Sequence, residues 1–452
     1  MTVQAAKNAE IVDELPDFSQ PERYPFLIGV YLAINAIPDA YGIIDGPNCL
    51  FFKAEYIHGK HDIRSTLLDV LGHHRIAATT IHPGTVAMSR GEAVQNLVLE
   101  IDKLPDSKII FVSSLPMVTI IGTMYDSLLR DTQAQTKARL IDCPGRSLQG
   151  DWLDGYSDML VALASNIEIA DGEPDRRKVA IVGLIFDRNE GDQVGNVKEL
   201  ERLVAGLGLE LVTVWLSGQG YEKLAEIRYA GTILAFPEGR KAAKIIGKRS
   251  GAQVIDVEAP FGLTRTRRFI DRLARATGTE TQARELVDRE LYAVIPRVEW
   301  LIPHVFIGKT VGFSGPPDYL GGFVQIAGEL GLQVVHLSSS SLAKHLEEDL
   351  NADGEQPPPV LFEPKLAAGQ RETERLNALG LDLMICNSAM RLRIPAGRVR
   401  MDFGFPSYFH HALTDTPFLG FRGWLHFVDR MANALLSDTT QYETQMLRSG
   451  DA

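Results

Sequence analysis

The sequence predicts an α/β chain of three doubly wound domains, each built on a parallel sheet. Three observations carry this. Runs rich in Val, Ile and Leu recur along the chain, as in "SKIIFVSS" (107–114) and "RKVAIVGLIF" (177–186). Such runs are strands buried on both faces, the mark of parallel sheets covered by helices. Stretches with apolar residues three and four apart follow several of them, and glycine-rich turns stand between. Repeated βα units of this kind give Rossmann-like domains.

The elements follow in order. "AYGII" leads to the turn "DGPNC", and 107–114 runs on into "MVTIIGTMYDSLLRD" at helical spacing. The strand 177–186 passes through "DRNEGDQVGN" into the helix "VKELERLVAGLG", then "LELVTVWL". "AGTILAF" (230–236) precedes the helical "GRKAAKIIGKRSG" and "AQVIDV", and the charged helix "ETQARELVDRELYAVIPRV" comes next. "KTVGFSG" (309–315) precedes "YLGGFVQIAGELG" and "LQVVHLS", and "LDLMICNS" (381–388) closes the series. Breaks at "DGEPDRR" (171–177) and "VEWLIPHVFIGKT" (298–310) divide the chain into domains 1–175, 176–304 and 305–452. "EEDLNADGEQPPPVLFEP" (347–364) reads as an acidic, proline-rich loop inside the third, and "DTTQYETQMLRSGDA" as a fraying helical tail.

Composition excludes several classes. The chain has 452 residues and a formal charge of −12, which disfavours a nucleic-acid surface built on clustered Lys and Arg. No stretch approaches the roughly 20 apolar residues of a membrane span, and the acidic N-terminus lacks the apolar core of a secretory signal. Three cysteines, with no CxxC pair, fit a cytoplasmic, reducing setting and no zinc ribbon or ferredoxin-type cluster held by this chain alone. No turn reads GxGxxG or GxxxxGK[ST], so there is no sequence case for a dinucleotide site or an ATP-binding P-loop.

The candidate chemistry starts at Cys49. Its turn begins with Gly46 and Pro47 at the end of a strand-like run, where α/β folds place ligands. A small buried core thiol is the competing reading. His58 and His61 follow in "YIHGKHD", where Gly59 breaks any helix between them; a polar loop competes with a metal pair. His73-His74 and His410-His411 are adjacent pairs whose side chains point apart, placing them at a surface or interface. Cys143 stands at another strand end, before Pro144 and Gly145, and Cys386 lies inside an apolar run as a packed thiol.

Taken in order, these landmarks resemble a component-1 subunit of nitrogenase and the nitrogenase-like reductases, including the dark-operative protochlorophyllide and chlorophyllide reductases. "IDGPNC" resembles the family's turn that presents a cluster-ligating cysteine. "IIFVSSLPMVTIIGTMYDSL", "ARLIDCPGRSLQGDWLDGYSDML" and "VAIVGLIFDRNEGDQVGNVKELERLVAGLGLEL" resemble its following segments. "APFGLTRTRRFIDRLARATG" and "KTVGFSGPPDYLGGFVQIAGELGLQVVHL" follow in place. "MDFGFPSYFHHALTDTPFLGFRGWLHFVDRMANALL" is most similar to the closing segment of the β-type subunit. The resemblance spans 24–436 and implies a nitrogenase component-1-like fold.

The departures narrow the function. Only Cys49 matches a family cluster ligand. Pro116 stands where the family has a later cysteine, and Thr123-Met124 replace its acidic pair. Cys143 falls where the family carries a non-ligand residue. No cysteine lies near Ala235-Phe236, where the α-type subunit holds its cofactor, which disfavours dinitrogen reduction. The resemblance implies a subunit of an ATP-dependent two-component reductase, relaying electrons through an interface iron–sulfur cluster ([4Fe-4S] or larger) to a tetrapyrrole or a small sulfur or carbon compound. It implies Cys49 as metal ligand, with Gly46 and Pro47 shaping the site and His58, His61 and Cys143 as further candidate ligands. The implied partners are a second component-1-type subunit, identical or different, in a dimer or tetramer, and an iron-protein-like reductase that uses the ATP. No catalytic residue is assigned. The alternative is a non-catalytic scaffold or assembly protein on the same fold, holding a cluster or precursor for transfer.

Overall fold

The computed structural model describes residues 18–69, 73–81, 91–115, 118, 124–143, 145, 150–169, 172–341 and 358–449, with 438–449 as backbone alone. Three parallel sheets organise them. The first unit comprises α1 (Phe26–Asn35), β1 (Ala40–Asp45), α2 (Phe51–Ala54), β2 (Ile76–Ala78), α3 (Gly91–Ile101), β3 (Ile109–Ser114), α4 (Tyr125–Gln133), β4 (Arg139–Asp142) and α5 (Trp152–Asn166). Its sheet runs β2-β1-β3-β4. All ten residues of α1 are buried, as its apolar sequence requires of a helix with no polar face. Asp151 caps α5 in a capping box: its Oδ1 accepts from the Leu153 and Asp154 N–H groups, while Asp154 Oδ2 accepts from Asp151 N–H.

The middle unit comprises β5 (Asp175–Val182), α6 (Gly191–Gly206), β6 (Glu210–Val214), α7 (Tyr221–Ala225), β7 (Ala230–Ala235), α8 (Arg240–Ser250), β8 (Gln253–Asp256), α9 (Leu263–Thr277) and α10 (Glu280–Val298), on a sheet ordered β6-β5-β7-β8. The third comprises α11 (Ile302–Val305), β9 (Thr310–Ser314), α12 (Pro317–Leu330), β10 (Gln333–Ser339), β11 (Val360–Phe362), α13 (Leu366–Leu379), β12 (Leu383–Cys386), α14 (Met390–Arg393), β13 (Val399–Asp402) and α15 (Gly420–Ser449), on a sheet ordered β11-β10-β9-β12-β13. Every strand pair is parallel, as the buried runs predict.

Some local expectations need correction. The series does not close at 381–388, because β13 adds an edge strand beyond β12. Part of the proline-rich 347–364 segment is structured: Val360–Phe362 pairs with β10. The rest of that segment up to residue 357 lies outside the described residues, as do Pro116, Thr123 and Pro144. The tail does not break up within the described backbone, where α15 runs unbroken to Ser449.

The middle sheet divides the interior. Side chains alternate across a strand, so each face collects every second residue. Ala180 and Val182 of β5, with Ile233 and Ala235 of β7, join a core shared with Ile34, Ile44 and Phe111 of the first unit. Val179 and Ile181, with Leu234, join another core shared with Phe313 and Leu337 of the third. α15 lies against both α6 and α10, so the last helix packs on the middle unit.

Candidate functional site

Each sheet reverses its strand order once, between β1 and β3, β5 and β7, and β9 and β12. Ligands of α/β folds bind at the strand C-termini beside such reversals. The three places differ.

At the first, β1 ends in Asp45, which has no exposed surface. Its carboxylate accepts from Tyr125 Oη (2.5 Å) and Thr79 Oγ1 (2.5 Å), and Thr79 Oγ1 accepts from Gly46 N–H (3.1 Å). Leu115 N–H donates to Asp45 O at 3.0 Å. A Cβ on Gly46 would come within 2.6 Å of Leu115 Cδ1, so a larger residue here would have to push the Leu115 side chain aside. Pro47 is extended (φ −75°, ψ 164°) and starts a single 3₁₀ turn, Asn48–Leu50. Leu50 is fully buried, and its carbonyl accepts from Tyr31 Oη at 3.3 Å. Burial, then the neighbouring Cys49, holds the Tyr31 phenol well above its usual range. Fixed on both sides, the turn leaves Cys49 exposed.

The other two cysteines are inside. Cys143 follows β4 with no exposed surface, and its N–H donates to Val112 O at 2.8 Å. Cys386 ends β12, and burial pushes its thiol up to about 12. The structure does not gather His58, His61 or Cys143 around Cys49: no group of three His, Cys, Asp or Glu suited to a metal forms among the described residues. His58 is half-buried, bridged to Asp62, and its Nδ1 has no hydrogen-bond partner among the described residues.

His61 has a different use. Its Nδ1 accepts from Ser407 N–H (2.9 Å), and its Nε2 lies 3.1 Å from Asp187 O. An N–H can only donate and a carbonyl can only accept, so the ring is the neutral Nε2–H tautomer with both nitrogens committed. Burial first, then the charge of Arg188, holds its pKa well below the usual histidine range. His61 ties the first unit to the other two, which leaves it no nitrogen for a metal.

It belongs to a buried polar junction where the reversals of the middle and third sheets converge. Asp62 Oδ2 accepts from Asn35 Nδ2 (2.7 Å) and from both the N–H and Nδ2 of Asn189 (2.9 Å each). Glu190 accepts from Ile63 N–H (3.1 Å) and Ala412 N–H (2.9 Å) and meets His411 Nδ1 at 2.8 Å. Arg188 pairs with Asp192 and donates to His410 O at 2.9 Å. A Cβ on Gly191 would lie 2.0 Å from Thr414 O, so glycine lets α6 start against the 412–417 segment. Asp187, facing Gln193 Nε2 at 2.7 Å, is pushed up to about 7 by burial, against the pull of Arg188. His410 is pushed down to about 4 by burial, then by Arg430 and Arg188. The space left among Asp187, Tyr319, His410 and Arg430 is about 20 Å³, room for roughly one water.

Sequence reasoning passed over most of this network. "DRNEGD" reads as a solvated tight turn. The available signal was its density of charge directly after a buried strand, at a sheet reversal. Asp45 and Tyr125 carried no local signal, since their contact joins residues 80 apart.

The sequence matches the family described as "Nitrogenase component 1 type Oxidoreductase" over residues 26–436. The nitrogenase molybdenum-iron protein beta chain of Methanothermobacter marburgensis is 22% identical over 430 residues, covering 86% of this chain and 90% of that one. The nitrogenase iron-iron protein beta chain of Rhodobacter capsulatus is 24% identical over 453 residues, covering 91% and 92%. The solved structure "Nitrogenase Cp1 at pH 6.5" superposes with a TM-score of 0.79 at 16% identity, covering 93% of each chain, a likeness of fold.

Proposed function

The chain belongs to the nitrogenase component 1 type oxidoreductase family, with its resemblance to the β-type subunits, and from that premise we propose that Cys49 is its contribution to a shared iron–sulfur cluster. In this reading the chain is one subunit of a two-component reductase. A second component-1-type subunit completes the ligand set. A separate ATP-dependent iron–sulfur reductase delivers electrons, in keeping with the lack of a P-loop in this sequence.

The observation that carries the reading is the contrast among the cysteines: one exposed on a braced turn, two packed inside. Thiolates hold iron–sulfur clusters, and one exposed thiol fits one corner of a four-ligand site. The Asp45–Thr79–Tyr125 bonds behind the turn are the support that fixes a ligand's direction. A large cofactor does not fit at Ala235-Phe236 or in the junction. Ala235 and Phe236 are buried in the packed interior, and the junction keeps about 20 Å³. In this reading the substrate binds on the cluster side of the chain.

Anaerobic purification of Cys49→Ala, with iron and sulfide analysis and identification of co-purifying chains, tests this. Loss of iron and of visible absorption is expected, while Cys143→Ala keeps both. Unchanged iron in Cys49→Ala overturns the assignment. The same single ligand also suits a scaffold that holds a cluster for transfer. That reading gains if the iron is labile and no reductase component supports turnover.

A further inference from the structure

Among the described residues three that are not glycine have a positive φ: Thr80 (55°), Leu216 (56°) and Glu363 (41°). Left-handed backbone is uncommon outside glycine, and a β-branched residue there is an outlier. Of the three only Thr80 is β-branched, and it stands beside the turn that carries the exposed thiol. Such conformations persist where the surroundings hold them, and they gather at functional sites.

The Cys49 turn is what holds Thr80. β2 pairs with β1 as far as Ala78 opposite Ile44. Past the ends of both strands, residues 79–81 meet the turn one after another. Thr79 Oγ1 donates to Asp45 and accepts from Gly46 N–H, and Ile81 N–H donates to Gly46 O at 3.3 Å. Between them, Thr80 Oγ1 donates to Asn48 Oδ1 at 3.1 Å. Asn48 opens the 3₁₀ turn and directly precedes Cys49. No other side chain hydrogen-bonds to 47–49 among the described residues. Asp45 and Tyr125 brace the turn from the strand behind it, and Tyr31 holds it at Leu50; Thr80 holds the residue next to the thiol. Thr80 and Asn48 are both exposed, so their bond protects no core and its worth to the fold is small.

We propose that Thr80 is a positioning residue for Cys49. Its left-handed backbone is kept because it brings the hydroxyl onto Asn48, and that bond fixes the direction of the thiol. The cluster reading enters only in what the thiol holds, because the geometry of the turn needs no metal.

Three full-length variants test this. Glycine in Thr80→Gly adopts the left-handed backbone freely but brings no hydroxyl; Thr80→Ser keeps the hydroxyl, and Asn48→Ala removes the acceptor. Two rates are read. One is anaerobic iron release to a chelator. The other is alkylation of Cys49 by N-ethylmaleimide in protein freed of iron, with Cys49→Ala as the blank. Thr80→Gly and Asn48→Ala should each release iron about tenfold faster, as loss of an outer partner of a metal ligand does. Both should also alkylate faster, and the double variant should be no faster than either, since each change breaks the same bond. Thr80→Ser should keep the wild-type rates. The melting temperature of Thr80→Gly, followed by circular dichroism, should not fall, because relief of the strained backbone offsets the lost bond. Wild-type rates in Thr80→Gly overturn the proposal. So do rates in Thr80→Ser as fast as those of Thr80→Gly, or faster rates that come with a lower melting temperature. Alkylation separates the two readings. If Cys49→Ala keeps its iron while alkylation still answers to Thr80, the cluster assignment falls and the positioning stands. If Cys49→Ala loses its iron while neither rate answers to Thr80, the positioning falls alone.

Discussion

At the C-terminal end of β1 the chain leaves a thiol in solvent. At the C-terminal ends of β5 and β9 it leaves almost no space at all. All three are sheet reversals, so topology offers the same kind of crevice each time. The difference lies in what the following loop carries. After β1 come Gly46, Pro47 and Asn48, short or stiff residues braced from behind by Asp45 and Tyr125. After β5, past Gly183, Leu184, Ile185 and Phe186, come Asp187, Arg188, Asn189 and Glu190, whose long side chains reach the neighbouring units and fill the crevice. Polar groups behind a turn orient it; polar groups within a crevice replace its ligand.

The largest test of this contrast is Asp62→Ala. It strips the acceptor from a buried donor on Asn35 and two part-buried donors on Asn189, and should cost about 3–5 kcal/mol by urea denaturation. A loss below about 1 kcal/mol would mean the junction is not what joins the units.

The pH dependence sharpens the same point. Asp187 is raised from 3.8 to about 7, so between those values the folded state holds a proton that the unfolded state has released. Stability should therefore fall as pH rises through that window, by up to about 1.4 kcal/mol per pH unit. His410 is lowered from 6.5 to about 4, so there the unfolded state holds the extra proton and stability should rise with pH. His410 is only half-buried, and its effect is the shallower. Asp187→Asn should leave the rise alone, and His410→Gln should steepen the fall. Identical pH profiles for both variants and wild type would refute the assignment.

Tyr125→Phe should cost about 1–3 kcal/mol, because it removes a hydrogen bond to a buried carboxylate. In the cluster reading it also loosens iron, which timed chelator extraction would detect. The smallest effect belongs to the thiol. Cys49→Ser should change stability by no more than about 0.5 kcal/mol, since an exposed side chain holds little together. A larger loss would mean that Cys49 is structural.

Legibility followed the range of the interactions. The central strands β3, β5, β7, β9 and β12 stand out because their burial is written into consecutive residues. The edge strands β2, β11 and β13 do not: they have three or four residues, and "VRMD" mixes charge with apolar side chains. The strand-end turn that carries Cys49 was legible because a strand, a Gly-Pro turn and a cysteine are neighbours in sequence. His61 was not, because its two partners lie 126 and 346 residues away, and a histidine's neighbours decide whether it is a ligand or a brace. The family resemblance was legible because it rests on order over the whole chain, which the match across 26–436 bears out.

The divided faces of the middle sheet carry a consequence for how this protein can be taken apart. A sheet with no solvent side cannot be excised. Cutting before β5 would bare Ala180, Val182 and Ile233, and cutting after α10 would bare Val179, Ile181 and Leu234. Either fragment would carry a sticky, water-exposed wall in place of a core. Such a chain should melt in a single calorimetric transition and resist modular reuse, its parts inherited and lost together.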